Sequence, residues 1–180
     1  SPEVVELSTF AIGIYPVTCS EYKVAVDANI VPAPPSWADA PDFASIASLP
    51  VTYVTPESAA LYAAWATAQD ALYTWSIATV EQWMEGAGDG VYPYGDDTAV
   101  LASININGQG PVEPVGSRAA DMTATGLYDM CGNVMEFTSS MWENDSGWIV
   151  KGGNAYSALE SCTVEWAGMI GSGGWGGGMS

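Results

Sequence analysis

The chain has 180 residues and a mass of 18.8 kDa, 48% of them hydrophobic with eight Trp and nine Tyr, which suits one folded domain and argues against a disordered chain. Asp and Glu number 21 against only Lys23, Arg118 and Lys151, for a formal net charge of -18; so few cations argue against nucleic acid or an anionic membrane surface as partner. There is no His, which removes Ser-His-Asp and Cys-His nucleophiles, His-ligated zinc and an imidazole base.

Three helix starts are written into the first half. Thr18-Cys19-Ser20-Glu21 is a capping box, in which the Thr hydroxyl and the Glu carboxylate cover free amides of the first turn. Tyr22, Ala25 and Val26 follow on one face at helical spacing. Thr55-Pro56-Glu57 supplies a cap, a proline at the first helical position and an acid at the positive end. That helix is expected to run to about Gln69, with Leu61 and Trp65 facing one way. Thr79-Val80-Glu81-Gln82 is a second capping box, opening a short helix through Trp83.

Between these helices, residues 31–50 read as loop, because Val31-Pro32-Ala33-Pro34-Pro35 can continue neither a helix nor an inner strand. From Gly86 onward helical periodicity is lost. Short apolar runs such as Val91-Tyr92-Pro93-Tyr94-Gly95 and Trp148-Ile149-Val150 predict short strands joined by long, ordered loops. The pattern predicts a single α+β domain over residues 1–180. No apolar run is long enough for a membrane span, and a signal peptide is expected to be absent or removed. Cys19, Cys131 and Cys162 have no CxxC spacing and allow at most one disulfide within the chain.

Four segments then occur in a telling order: Phe10-Ala11-Ile12-Gly13-Ile14-Tyr15-Pro16-Val17-Thr18 before the first helix; Pro50-Val51-Thr52-Tyr53-Val54-Thr55 before the second; Thr79-Val80-Glu81-Gln82-Trp83 before Tyr92-Pro93-Tyr94-Gly95; and Pro114-Val115-Gly116-Ser117 leading to Gly126-Leu127-Tyr128-Asp129-Met130-Cys131-Gly132-Asn133-Val134-Met135-Glu136-Phe137 and Lys151-Gly152-Gly153. From about Phe10 to Gly153 the chain resembles the formylglycine-generating-enzyme/sulfatase-modifying-factor superfamily. That resemblance implies a variant of the C-type lectin fold, with short helices around small antiparallel sheets. It also offers two functions, which the fold alone does not separate. One is a copper-dependent oxidase that converts a sulfatase cysteine to formylglycine with two thiolates. The other is a ligand-binding protein with a variable C-terminal surface, as in the variable proteins of diversity-generating retroelements.

Counted from Gly152-Gly153, Cys162 occupies the position of the oxidase's first catalytic cysteine. The second is expected at Ala167, which cannot bind metal, while soft copper(I) is held by paired sulfurs. Cys19 and Cys131 match no catalytic position. The expectation is therefore a non-enzyme, with an oxidase using Cys162 as the alternative. Residues 154–180 are rich in Gly, Ser and Ala between spaced Trp. Adenine-directed mutation of Asn-type codons yields such small residues and Tyr but does not readily yield Trp. The same text also reads as a Gly-rich tail around packed indoles. The variable-surface reading assigns ligand contacts to Tyr156, Ser157, Glu160, Thr163, Trp166, Ser172 and Trp175. The partner would be a protein or other surface ligand, and the setting surface-exposed, secreted or virion-associated.

The resemblance also implies a structural calcium site, with Asp129 and Glu136 contributing carboxylates and Gly132 and Val134 carbonyls. Calcium takes 6–8 hard oxygens, and both acidic positions are present. The alternative is that Asp129 and Glu136 accept backbone amides in a tight turn. Arg118 and Lys151, rare cations in an acidic chain, are expected to be paired and to brace loops.

Overall fold

Each predicted cap forms. In the computed structural model, which describes residues 2–97, 100 and 103–171, helix α1 spans Cys19–Asp27 behind the Thr18–Glu21 capping box. Helix α2 spans Pro56–Gln69, its first turn closed by the Thr55 hydroxyl. Helix α3 starts at the Thr79–Gln82 box and spans Val80–Ala87, a turn beyond the expected Trp83. Tyr22 and Ala25 are fully buried on α1. On α2 the buried face is instead Ser58, Ala59 and Tyr62, while Leu61 stands 52% exposed. Trp65 packs against the first core cluster beside Tyr62, while Leu61 is left to solvent.

Strands β1 (Val4–Glu6) and β2 (Ala11–Gly13) form an antiparallel ribbon with Val4 opposite Gly13. Strands β3 (Glu136–Met141), β4 (Trp148–Lys151) and β5 (Gly168–Ile170) form an antiparallel sheet in that order, with an irregularity between Phe137 and Met141. The expected strand at Trp148–Val150 is thus β4. The run Val91–Gly95 is a turn rather than a strand, closed by the Gly95 amide on the Tyr92 carbonyl at 2.9 Å; Pro93 and Gly95 deny it a ladder. The 31–50 loop contains two short 3₁₀ turns, Pro35–Asp39 and Phe43–Ser45.

Three apolar clusters fill the interior. The first packs α1 and α2 on the three-stranded sheet through Tyr22, Ala59, Tyr62, Phe137 and Val150. The second joins α3 to the ribbon through Ile12, Trp83, Leu127 and Met130. The third is small, with Ile104, Ile106, Cys131 and Cys162 covered by Tyr92, Tyr94 and Leu159.

Long loops surround these clusters, and one buried side chain ties them together. The Asn133 carboxamide accepts from the Glu113 amide (2.9 Å) and from Asn105 Nδ2 (3.3 Å). It donates to the Glu113 carbonyl (3.1 Å) and to Asp129 Oδ1 (3.2 Å). Its own backbone donates to the Asn105 carbonyl and accepts from the Ala155 amide at 3.0 Å. Next to it Gly132 has φ +84°, and an added Cβ would lie 2.4 Å from the Asn105 carbonyl oxygen, so only glycine fits. Truncation of Asn133 would leave buried polar groups without partners, each costing about 1–3 kcal/mol. Asn133→Ala is therefore expected to lower stability by roughly 3 kcal/mol or more in urea unfolding; a loss under about 1 kcal/mol would show that the loops are held elsewhere.

Candidate functional site

The Asp129–Glu136 turn carries its acids inward. Asp129, at φ 60°, is 2% exposed and Glu136 is fully buried. Asp129 Oδ2 accepts from the Gly116 amide at 2.7 Å and Oδ1 from Asn133 at 3.2 Å. Burial raises the Asp129 pKa, and these two donors oppose the rise. Glu136 Oε2 accepts from the Trp83 indole. Gly132 and Val134 are buried within the same turn. No three His, Cys, Asp or Glu side chains converge among the described residues. As folded, both Asp129 oxygens and Glu136 Oε2 accept from protein donors, the alternative role open to these acids in the Asp129, Gly132, Val134 and Glu136 set.

A further buried acid, Asp121, carries no signal in the sequence that marks it as buried. It is 1% exposed and follows Arg118, whose guanidinium pairs with Glu113 at 2.6 and 2.7 Å. Burial, with the neighbouring Asp129 charge adding to it, pushes the Asp121 pKa up to about 7. Lys151 is braced differently from Arg118. Its ammonium donates to the Val164 carbonyl at 2.7 Å and to the Trp166 carbonyl, and lies 5.2 Å from the centre of the Trp83 ring. Burial lowers its pKa to about 8.

Those two carbonyls belong to the segment expected to recognise a ligand. Its backbone is pinned by the frame: the Asn107 amide donates to the Ser157 carbonyl (2.9 Å), the Gly108 amide to the Ala155 carbonyl (2.8 Å), and the Val164 amide to the Val91 carbonyl (2.9 Å). Ala155, Cys162 and Val164 point inward, while Tyr156 is 72% exposed and Glu160 is exposed as well. Ser157 and Thr163 are half-buried, and their hydroxyls bond within local turns. Trp166 is half-buried against the first cluster, its ring over Gly168. Ser172 and Trp175 lie outside the described residues.

The structure also joins two cysteines that linear spacing kept apart. Cys131 and Cys162 are both fully buried and neighbours in the third cluster. Cys162 donates to the Gly152 carbonyl at 3.3 Å. The hydrogen bond to Cys162, followed by burial, raises the Cys131 pKa. Cys131 thus has a partner role that counting along the C-terminal segment did not reveal.

Small antiparallel sheets, three capped helices and long loops locked by a buried turn define an α+β domain of the C-type-lectin-like, formylglycine-generating-enzyme type. The chain belongs to the sulfatase-modifying factor enzyme 1-like domain family, whose model matches residues 1–172. The curated hercynine oxygenase of Mycolicibacterium thermoresistibile is 32% identical over 172 residues. That alignment covers 76% of this chain, and the chain spans 37% of the relative's length. Among solved structures, PvdO from Pseudomonas aeruginosa matches with a TM-score of 0.76 at 21% identity, over 93% of this chain and 76% of that one. Treponema denticola variable protein 1 matches at 0.68 and 15% identity, over 97% and 88%. At these identities the two structures share the fold.

The family and the oxygenase relative overturn the expectation of a non-enzyme. A thiol partner for Cys162 is missing at Ala167 on the C-terminal segment itself, whereas the fold brings Cys131 into the same buried cluster.

Two measurements check the buried acids. A carboxylate whose folded pKa lies above its unfolded value favours folding while protonated, and that contribution is lost as pH rises through the folded pKa. Stability is thus expected to fall between pH 4 and 8 by an amount on the order of 2–4 kcal/mol from Asp121, and Asp121→Asn should flatten this slope in pH-dependent urea melts. Unchanged slopes would remove Asp121 as the cause. In the second measurement, millimolar calcium or a chelator is expected to leave the thermal midpoint unmoved; a calcium-dependent rise of about 5 °C or more would show a bound ion.

Proposed function

We propose that this chain is the sulfatase-modifying-factor-type domain of an oxidising enzyme, and that it recognises its substrate on the face formed by residues 154–166. The observation that carries this reading is the 32% identity to a protein named hercynine oxygenase. Because the chain spans 37% of that relative, it is the reaction class, use of oxygen, that is carried over.

Within this chain, soft-metal chemistry falls to Cys131 and Cys162. There is no His, and the third cysteine, Cys19, lies in a different cluster. Copper(I), the ion the family resemblance implies, is satisfied by two sulfurs, and the contact between these thiols fits that donor count. Such an ion supplies one-electron chemistry with oxygen when bound. The raised Cys131 pKa means that binding must release a proton, so affinity for the ion rises with pH.

Substrate contacts are assigned first to Tyr156, Glu160 and Thr163, with Ser157 and Trp166 shaping the floor and Ser172 and Trp175 extending the surface. An exposed tyrosine on a pinned backbone gives rigid area at low entropy cost. A second reading uses the same face: a ligand-binding protein whose C-terminal surface is diversified by a retroelement and displayed outside the cell or on a virion. It is favoured by the backbone of 154–166 being held through main-chain atoms and Lys151, which leaves the outward side chains replaceable.

Oxygen uptake separates the readings. The copper(I)-loaded chain with a thiol reductant is expected to consume oxygen at least about tenfold faster with hercynine or a cysteine-containing peptide than without. Cys162→Ala should abolish the difference, and Tyr156→Ala should raise KM about tenfold with little change in kcat. Uptake at the control rate with both probes would overturn the oxidising reading and leave recognition alone.

A further inference from the structure

Strand β2 leaves one edge open. The Leu7 amide donates to the Phe10 carbonyl at 2.8 Å, and Val5 stands opposite Ile12. Hydrogen-bonded and non-hydrogen-bonded pairs alternate along an antiparallel ribbon. Phe10 and Ile12 therefore turn their main-chain groups toward β1, and Ala11 and Gly13 turn theirs away from it. Those outward amides and carbonyls have no partner among the described residues.

Across from this edge run residues 73–79, which form neither helix, turn nor ladder. They are held from behind. The Trp75 amide donates to Thr67 Oγ1 at 2.8 Å, and the same hydroxyl donates to the Trp75 carbonyl at 3.2 Å, tying the stretch to α2. Further on, the Ala78 carbonyl accepts from the Ser139 amide at 2.8 Å. Thr74 and Ser76, on either side of Trp75, are exposed, and their main-chain groups have no partner among the described residues.

A cavity of about 300 Å³ lies between the two runs, with Ala11 and Gly13 on one side and Thr74, Trp75 and Ser76 on the other. Gly13, Trp75 and Ser76 also border a smaller cavity of about 50 Å³, lined by the apolar Val17, Ala59, Ala63 and Ile77. A slot with open main-chain edges on both sides favours one class of ligand. An extended peptide meets amide with carbonyl and carbonyl with amide at a repeat of about 3.4 Å per residue. Its alternate side chains fall on opposite faces, so one of them is carried to the smaller cavity, where an aliphatic group leaves water. The net charge of -18 repels an acidic peptide.

We infer that the slot between β2 and residues 73–79 is a peptide site, in which an extended segment bearing an aliphatic side chain adds as a strand to Ala11 and Gly13. None of its lining residues belongs to the 154–166 face or to the Cys131–Cys162 cluster.

The test titrates the full chain with the capped pentapeptide acetyl-Lys-Val-Thr-Val-Lys-amide, and separately with the same peptide N-methylated at both valines and the threonine. Charge and side chains are then equal, and only main-chain donors differ. The unmethylated peptide is expected to bind at least about tenfold more tightly. At saturation it should slow amide hydrogen exchange at Ala11 and Gly13 at least about tenfold, read by NMR. Ala11→Pro removes an outward donor at a position where an edge strand tolerates proline, and should weaken the peptide at least about threefold. Ala63→Leu fills the smaller cavity from a helix position that accepts leucine, and should weaken it about tenfold. Equal affinity for the two peptides, no detectable binding, exchange at Ala11 and Gly13 left unchanged, or binding indifferent to both substitutions in folded protein would overturn the inference.

Discussion

Asn133 holds four stretches of chain at one point: its carboxamide binds the Asn105 turn, the Glu113 segment and the Asp129 turn, and its backbone carbonyl takes the Ala155 amide at the start of the C-terminal segment. Strand content is small, so ladder hydrogen bonds fix little of this molecule. A loop-rich domain must satisfy its buried amides and carbonyls through particular side chains. Asn133 suits the task because a carboxamide both donates and accepts. The neighbouring φ values follow from the same requirement. Asp129, Gly132 and Asn133 all adopt the left-handed region, so that successive amides turn toward different segments.

What local chemistry encodes was legible in the sequence. The Thr18 and Thr79 capping boxes and the Thr55-Pro56 start each depend on residues within one turn, and each helix begins there. Helix faces were harder. Leu61 is more hydrophobic than Ala59, yet Ala59 is buried, because close approach between α1 and α2 rewards small volume as much as apolarity. Tertiary pairs were invisible. The Cys131–Cys162 contact, the Asp121–Asp129 neighbourhood and the Lys151 bonds to the Val164 and Trp166 carbonyls all join residues whose separation carries no periodic signal.

The unusual charge balance takes on structural meaning once the three cations are placed. Each braces a specific element: Lys23 the last turn of α1, Arg118 the Glu113 segment, Lys151 the chain before β5. The remaining acidity is therefore uncompensated at the surface, which favours cationic partners and discourages self-association. The buried acids are another matter. Asp129 and Glu136 are acceptors inside a turn where a family likeness implied a metal, and hydrogen bonds to Gly116, Asn133 and Trp83 do the organising.

The same frame bears on both readings of function. A surface can change its side chains, or evolve a new substrate, only if its backbone geometry does not depend on them. Residues 154–166 meet that condition through inward anchors at Ala155, Cys162 and Val164, and through main-chain bonds to Asn107, Gly108 and Val91. Trp166 is the exception, since its ring packs over Gly168 and against the first cluster, so replacing it would disturb the sheet as well as the face. Cys162 is an inward anchor of the segment and lies in the same buried cluster as Cys131. Under the proposed function, the surface of residues 154–166 and the buried Cys162 share one short stretch of chain, through which binding and thiol chemistry would be coupled.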